Sequence, residues 1–148
     1  MRLVALVGLL AAASVVSAQD ATKPYPIFTA DQLDATMKTV GPNVVGLRAA
    51  LAADDLELAK ERGIRAREQL ATTMTFWRDR ERDDAVGLLR DVLRSFDALD
   101  TALSRDAVDR GAVDRLSTEI GSGCAACHAS YRREGPDGGY LLNESALR

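Results

Sequence analysis

Histidine and cysteine are scarce in this chain of 148 residues, which holds one histidine and two cysteines. A structural zinc site takes four Cys or His ligands, and three in all fall short of one. Basic charge is not in excess either. The formal net charge is −3, so nothing in it makes an electrostatic footprint for nucleic acid or anionic lipid. Low-complexity runs and fixed-period repeats are missing, and no stretch alternates as a strand would. The apolar run from Leu3 to Ala18 is short of the roughly 20 residues that span a bilayer.

That run has another meaning. Met1-Arg2 supplies a short basic start, Leu3 to Ala13 carries no charge, and Val16-Ser17-Ala18 places small residues where a signal peptidase reads. Residues 1–18 are therefore expected to be a secretory signal cleaved after Ala18. No cysteine stands at the cleavage site, so no lipid anchor is expected there and no stable membrane anchor after cleavage. The mature chain, residues 19–148, is long enough for one domain that buries roughly two-thirds of its unfolded surface.

The two cysteines and the histidine stand together, as Cys124-Ala125-Ala126-Cys127-His128. C-x-x-C-H is the attachment signature of a c-type haem: the thiols add to the two porphyrin vinyl groups and the histidine binds the iron. On a helix, positions i, i+3 and i+4 fall on one face, so the three side chains would meet one haem. A thioredoxin-like dithiol would need a βαβ context, and no strand pattern lies near. A plain disulfide in an exported protein remains the other reading. Haem and export support each other, because c-type haem is attached outside the bacterial cytoplasm. One covalent haem c and a periplasmic location are expected.

The remaining chain reads as helix. Residues 19–28, with Pro24 and Pro26, form an extended lead-in. Thr29 and Gln32 fit a capping box. After it Leu33, Met37, Val40, Val44, Leu47 and Leu51 trace one helical stripe that keeps its phase across Gly41-Pro42, so a kink or short restart is expected there. A second helix, about 55 to 80, carries Leu56, Ala59, Gly63, Ala66, Leu70, Met74 and Trp77. The charge run Arg78 to Asp84 reads as a solvated helix end followed by the next cap. A third helix, about 84 to 104, repeats Ala85, Leu88, Leu89, Val92, Phe96, Leu99 and Leu103. The fourth, about 110 to 133, carries Leu116, Ile120, Cys124, Cys127 and Tyr131. Gly135 to Gly139 ends it. The tail Tyr140 to Arg148 is given no chemistry, and Asn143-Glu144-Ser145 is treated as a chance match to a glycosylation acceptor. The expected fold is all-α, an up-down four-helix bundle with its cofactor in the core.

The sixth iron position is the open question, since axial ligation sets potential and access. With one histidine, bis-histidine ligation within a chain is impossible. Met37 on the first stripe, Met74 beside Trp77, or no side chain at all are the alternatives, and a methionine on such a stripe also serves as core filler. Trp77 and Phe96 either line the pocket or fill the core.

Cys124 to Arg132, C-A-A-C-H-A-S-Y-R on a terminal helix, resembles the cytochrome c-prime family, a four-helix bundle with this motif near its C-terminus followed by Tyr/Phe-Arg. Leu33-Asp34-Ala35-Thr36-Met37-Lys38 is similar to that family's distal helix, where high-spin members set a bulky apolar residue over an open iron and low-spin relatives set a ligating methionine. Met37 matches the methionine variant more closely, while Gly41-Pro42 one turn on departs from the pattern. The resemblance implies Arg132 as a neighbour of the proximal side or a propionate, Tyr131 as haem packing, and a homodimer as a common assembly. Position agrees for Arg132, i+4 from His128, where a cation offsets propionate charge.

Three functions follow in order. With His128 and Met37 both bound, the protein would carry electrons among periplasmic redox proteins. With Met37 unbound, an apolar distal side would admit nitric oxide or carbon monoxide. An enzyme such as a peroxidase needs a distal acid–base group, and none is found, so no catalytic residue is expected.

Overall fold

The computed structural model describes residues 27–147. The signal expected over residues 1–18 and most of the expected lead-in lie outside the described residues. Four long helices make up most of the rest: α1 (Ala30–Ala52), α2 (Leu56–Thr72), α4 (Asp83–Leu103) and α5 (Arg110–Tyr131), with a short α3 (Met74–Asp79) between the second and third. No helix among the described residues is long and apolar enough to cross a membrane.

α1 starts where its cap dictates. The Gln32 backbone N–H donates to Thr29 Oγ1 at 3.2 Å and the Thr29 N–H donates to Gln32 Oε1 at 3.1 Å, two otherwise orphaned donors satisfied at once. The helix then runs unbroken through Pro42. Leu33, Val40 and Leu47 are buried, and Met37, Val44 and Leu51 are half-buried against them. Behind the proline, Asn43 is a buried polar tie: its amide donates to Gln69 Oε1 at 3.2 Å and its oxygen accepts from Arg62 Nη1 at 3.3 Å. α2 packs on α1 with Gly63 beside the Leu47 side chain, and Ala59, Gly63 and Ala66 are all buried. Asp55 and Asp109 cap α2 and α5 through their side chains.

The helix expected to run to about 80 divides at Thr73. That residue is buried, and its hydroxyl donates to the Leu70 carbonyl at 2.7 Å, a back-bond that competes with the helix ladder and bends it. The new phase of α3 buries Phe76 beside Trp77, a residue the α2 stripe leaves out.

Helices adjacent in the chain pack in turn, α1 on α2, α2 on α4 and α4 on α5. On α5 the α4 contact demands glycine. A Cβ at Gly123 would collide with Val92 Cγ2. Gly123→Val should cost about 1–3 kcal/mol by overpacking, read from urea unfolding. Adding Val92→Ala should make the pair less damaging than the sum of its parts.

Two features differ from expectation. α5 stops at Tyr131, and Arg132 is already extended, with φ −118° and ψ 140°. The tail folds back as an antiparallel hairpin, β1 (Arg132–Glu134) on β2 (Tyr140–Leu142), in the register Arg132↔Leu142, Arg133↔Leu141, Glu134↔Tyr140. The Gly-Pro-Asp-Gly-Gly turn closes it, with the Gly135 N–H donating to the Gly139 carbonyl at 2.8 Å and Gly138 at φ +72°. Strands of three residues are too short to display a period. The charge run is also more than a solvated end. Arg82 donates to the Tyr131 hydroxyl at 3.2 Å and to the Ser145 carbonyl at 2.9 Å, and the Tyr131 hydroxyl donates to Asp84. These charges hold the end of α5 and the tail against the start of α4.

Candidate functional site

The seam between α1 and α5 is the loose one in the bundle. These two helices make few close backbone approaches, unlike the three pairs adjacent in the chain. A cleft of about 450 Å³ opens beside it, within the size range of small-molecule sites. Cys124 and His128 line it from α5, together with Gly121, Ala125 and Ala129. Val44 and Arg48 line it from α1, and Arg132, Arg133, Glu134 and Tyr140 from the hairpin.

Helical geometry accounts for the side chains of the motif. His128 stands about 40° round the helix from Cys124, and Cys127 about 60° the other way. Cys124 and His128 therefore share the cleft, while Cys127 is not among its lining residues and packs half-buried against the core, within electrostatic reach of Asp84. Both cysteines are free thiols. Burial pushes the Cys124 thiol up, partly offset by the Arg48 charge, and pushes Cys127 up to about 11 with the help of its neighbour Cys124. Burial and the Arg132 charge push His128 down, keeping the imidazole neutral with a lone pair to donate.

This chemistry separates the rival readings of C-x-x-C. Redox-active dithiols depend on a lowered thiol pKa, often at a helix N-terminus. Here the cysteines sit about two turns and about one turn before the C-terminal end of α5, where the helix dipole disfavours a thiolate. Among the described residues, no three His, Cys, Asp or Glu side chains come together as a metal-ion site. The donor set does fit a haem of the c type: one thiol and a neutral imidazole on a cleft that the bundle leaves open, with the second thiol one turn along the same helix against the core.

Other expected site residues fall in different places. Arg132 lines the cleft, but from a strand, with its guanidinium 3.7 Å from the centre of the Tyr140 ring. Tyr131 is buried on the far side of α5, with its ring 4.7 Å from that of Trp77. Neither Tyr131 nor Trp77 lines the cleft, and Phe96 faces a separate groove between α2 and α4. Met37 and Met74 are half-buried against the core and do not line the cleft either. Met37 lies two turns before Val44, roughly 10 Å along α1.

Comparison with protein families, with curated proteins and with solved structures gives no match to the chain. The residues that line the cleft come from α1, α5 and the hairpin. Two of them, Arg48 and Tyr140, were not singled out from the sequence. Arg48 stands one turn beyond Val44 on the same stripe, and the glycine-rich turn before Tyr140 signals a chain reversal that brings it back over Arg132.

Proposed function

We propose that this chain is an exported monohaem c-type cytochrome of the cytochrome c-prime kind, which carries electrons between periplasmic redox proteins. The observation that supports it is the shared exposure of Cys124 and His128 on one cleft at the open α1–α5 seam. Cys124 and Cys127 would hold the haem through thioethers and His128 would offer its neutral nitrogen to the iron. A haem so bound supplies one-electron chemistry. Arg132 would set positive charge beside the site, and the hairpin would cover one side of it. Glu134 is the one carboxylate lining the cleft and sits on an exposed strand.

A second reading has its own observation. The α1 wall of the cleft is Val44 and Arg48, which offer the iron no thioether or imidazole, and both methionines lie off it. If that wall faces the iron, the sixth position stays free for nitric oxide or carbon monoxide.

Optical spectra of the purified protein, made in a host with haem-attachment machinery, separate the two. A low-spin spectrum carrying the weak long-wavelength methionine–iron band, unmoved by carbon monoxide and losing that band in Met37→Leu, supports electron carriage. A high-spin spectrum that shifts with carbon monoxide favours gas binding. Haem that leaves the chain on denaturation ends both.

A further inference from the structure

We propose that Arg48 anchors a carboxylate of the group that fills the cleft: a propionate of the haem held at Cys124 and Cys127. The inference rests on the haem reading above and assigns a role to a residue outside the motif.

Arg48 reaches from α1 across the loose seam to α5. Its guanidinium lies on bare backbone at Gly121, one turn before Cys124, where any Cβ would collide with it. It is also the cation that acts on the Cys124 thiol. This position brings a planar, permanently charged fork beside the attachment point, suited to bidentate contact with a carboxylate.

The charge of the surroundings points the same way. Many arginines in the described residues are paired: Arg65 with Glu61, Arg67 with Asp97, Arg82 with Asp84 and Arg110 with Asp54. Among the described residues, no ion pair includes Arg48, Arg132 or Arg133. All three line the cleft, with Glu134 as the single acid there. The protein as a whole is acidic, at −3, while three arginines and one glutamate line this cleft, a local positive excess that a bound anion would balance. A haem brings two carboxylates. Arg132 already has its face on Tyr140, whereas Arg48 makes no hydrogen bond or ion pair with another described residue.

The test is the pH dependence of the reduction potential of the haem-loaded protein. The groups facing the site are His128 and Cys124 from α5, Arg48 from α1, and Arg132, Arg133, Glu134 and Tyr140 from the hairpin. Of these, His128 and Cys124 would be tied up by iron and thioether, and Glu134 would be the one protein carboxyl beside the propionates. A nearby cation lowers a carboxylate pKa, so Arg48→Gln should move the inflection in potential to higher pH by about one unit. Arg48→Lys should keep part of the wild-type behaviour. Gly121→Ala, which displaces a flexible side-chain end and leaves the core alone, should shift the inflection in the same direction as Arg48→Gln. Arg105→Gln, exposed and outside the cleft, should not shift it. An inflection that stays at the wild-type pH in Arg48→Gln, with haem attached and the spectrum unchanged, overturns the role of Arg48 alone. A protein without covalent haem overturns the haem reading with it.

Discussion

Cys124→Ala combined with Cys127→Ala should abolish covalent haem. Denatured wild-type protein should keep one haem on the chain, and the double variant none. Each single variant should retain haem through the remaining thioether, in lower yield. The loss is close to all-or-none because thioethers are bonds, with no graded contact to fall back on. Folding should survive. The two thiols are half-buried, and removing one sulfur at such a site costs about 1 kcal/mol, below the usual penalty for a fully buried truncation. Circular dichroism of the double variant should therefore keep the helical signal. The competing dithiol reading makes the opposite forecast. It expects wild-type protein to cycle between a disulfide and two titratable thiols. Burial works against that, since a thiol pushed up to about 11 is almost wholly protonated at neutral pH. Two free thiols in denatured wild-type protein from a haem-attaching host would remove the assignment altogether.

How much of this was legible in the sequence depends on the length of the pattern. The stripes of α1, α2, α4 and α5 each recur over several turns, and periodicity over that span locates a helix well. Thr29-Gln32 marked the start of α1 because a capping box needs two named residues at fixed spacing. Features of one turn or less were hidden. The break at Thr73 depends on one hydroxyl choosing the Leu70 carbonyl, and Thr39 makes the same bond three residues back inside α1 without breaking it. The hairpin pairs three residues with three. Arg82 and Asp84 belong to a run that is hydrophilic in composition, yet they reach Tyr131 across the fold. Within the site, the motif itself was plain. Arg48 became visible through contact with α5, and which α1 residue faces the cleft follows from how two helices lie against each other. Val44 and Met37 share one stripe, so the stripe alone cannot choose between them.

Phe76→Ala should be the most damaging single truncation in the core, at about 3–5 kcal/mol. Phe76 is fully buried. Its ring meets Trp77 edge-on, with centroids 4.9 Å apart and planes at 88°. The Arg80 guanidinium lies 3.8 Å from its centre, and Arg80 Nη1 donates to the Phe76 carbonyl at 3.2 Å. Truncation therefore removes more than apolar area. It also strips the aromatic cover from a half-buried cation whose Nε has no hydrogen-bond partner among the described residues. The consequences reach the site, because Trp77 passes the packing on to Tyr131, three residues after His128. Urea unfolding should show a lower midpoint with an unchanged slope, the signature of lost stability without a change in what unfolds. Against a domain stability of about 5–15 kcal/mol the variant should still fold. Phe28, which is 50% exposed, gives the contrast: Phe28→Ala should stay within about 0.5 kcal/mol of wild type. Equal effects at the two positions would mean that α3 lies outside the cooperative core, and that the end of α5 is held by Arg82 and Asp84 without help from the aromatic stack.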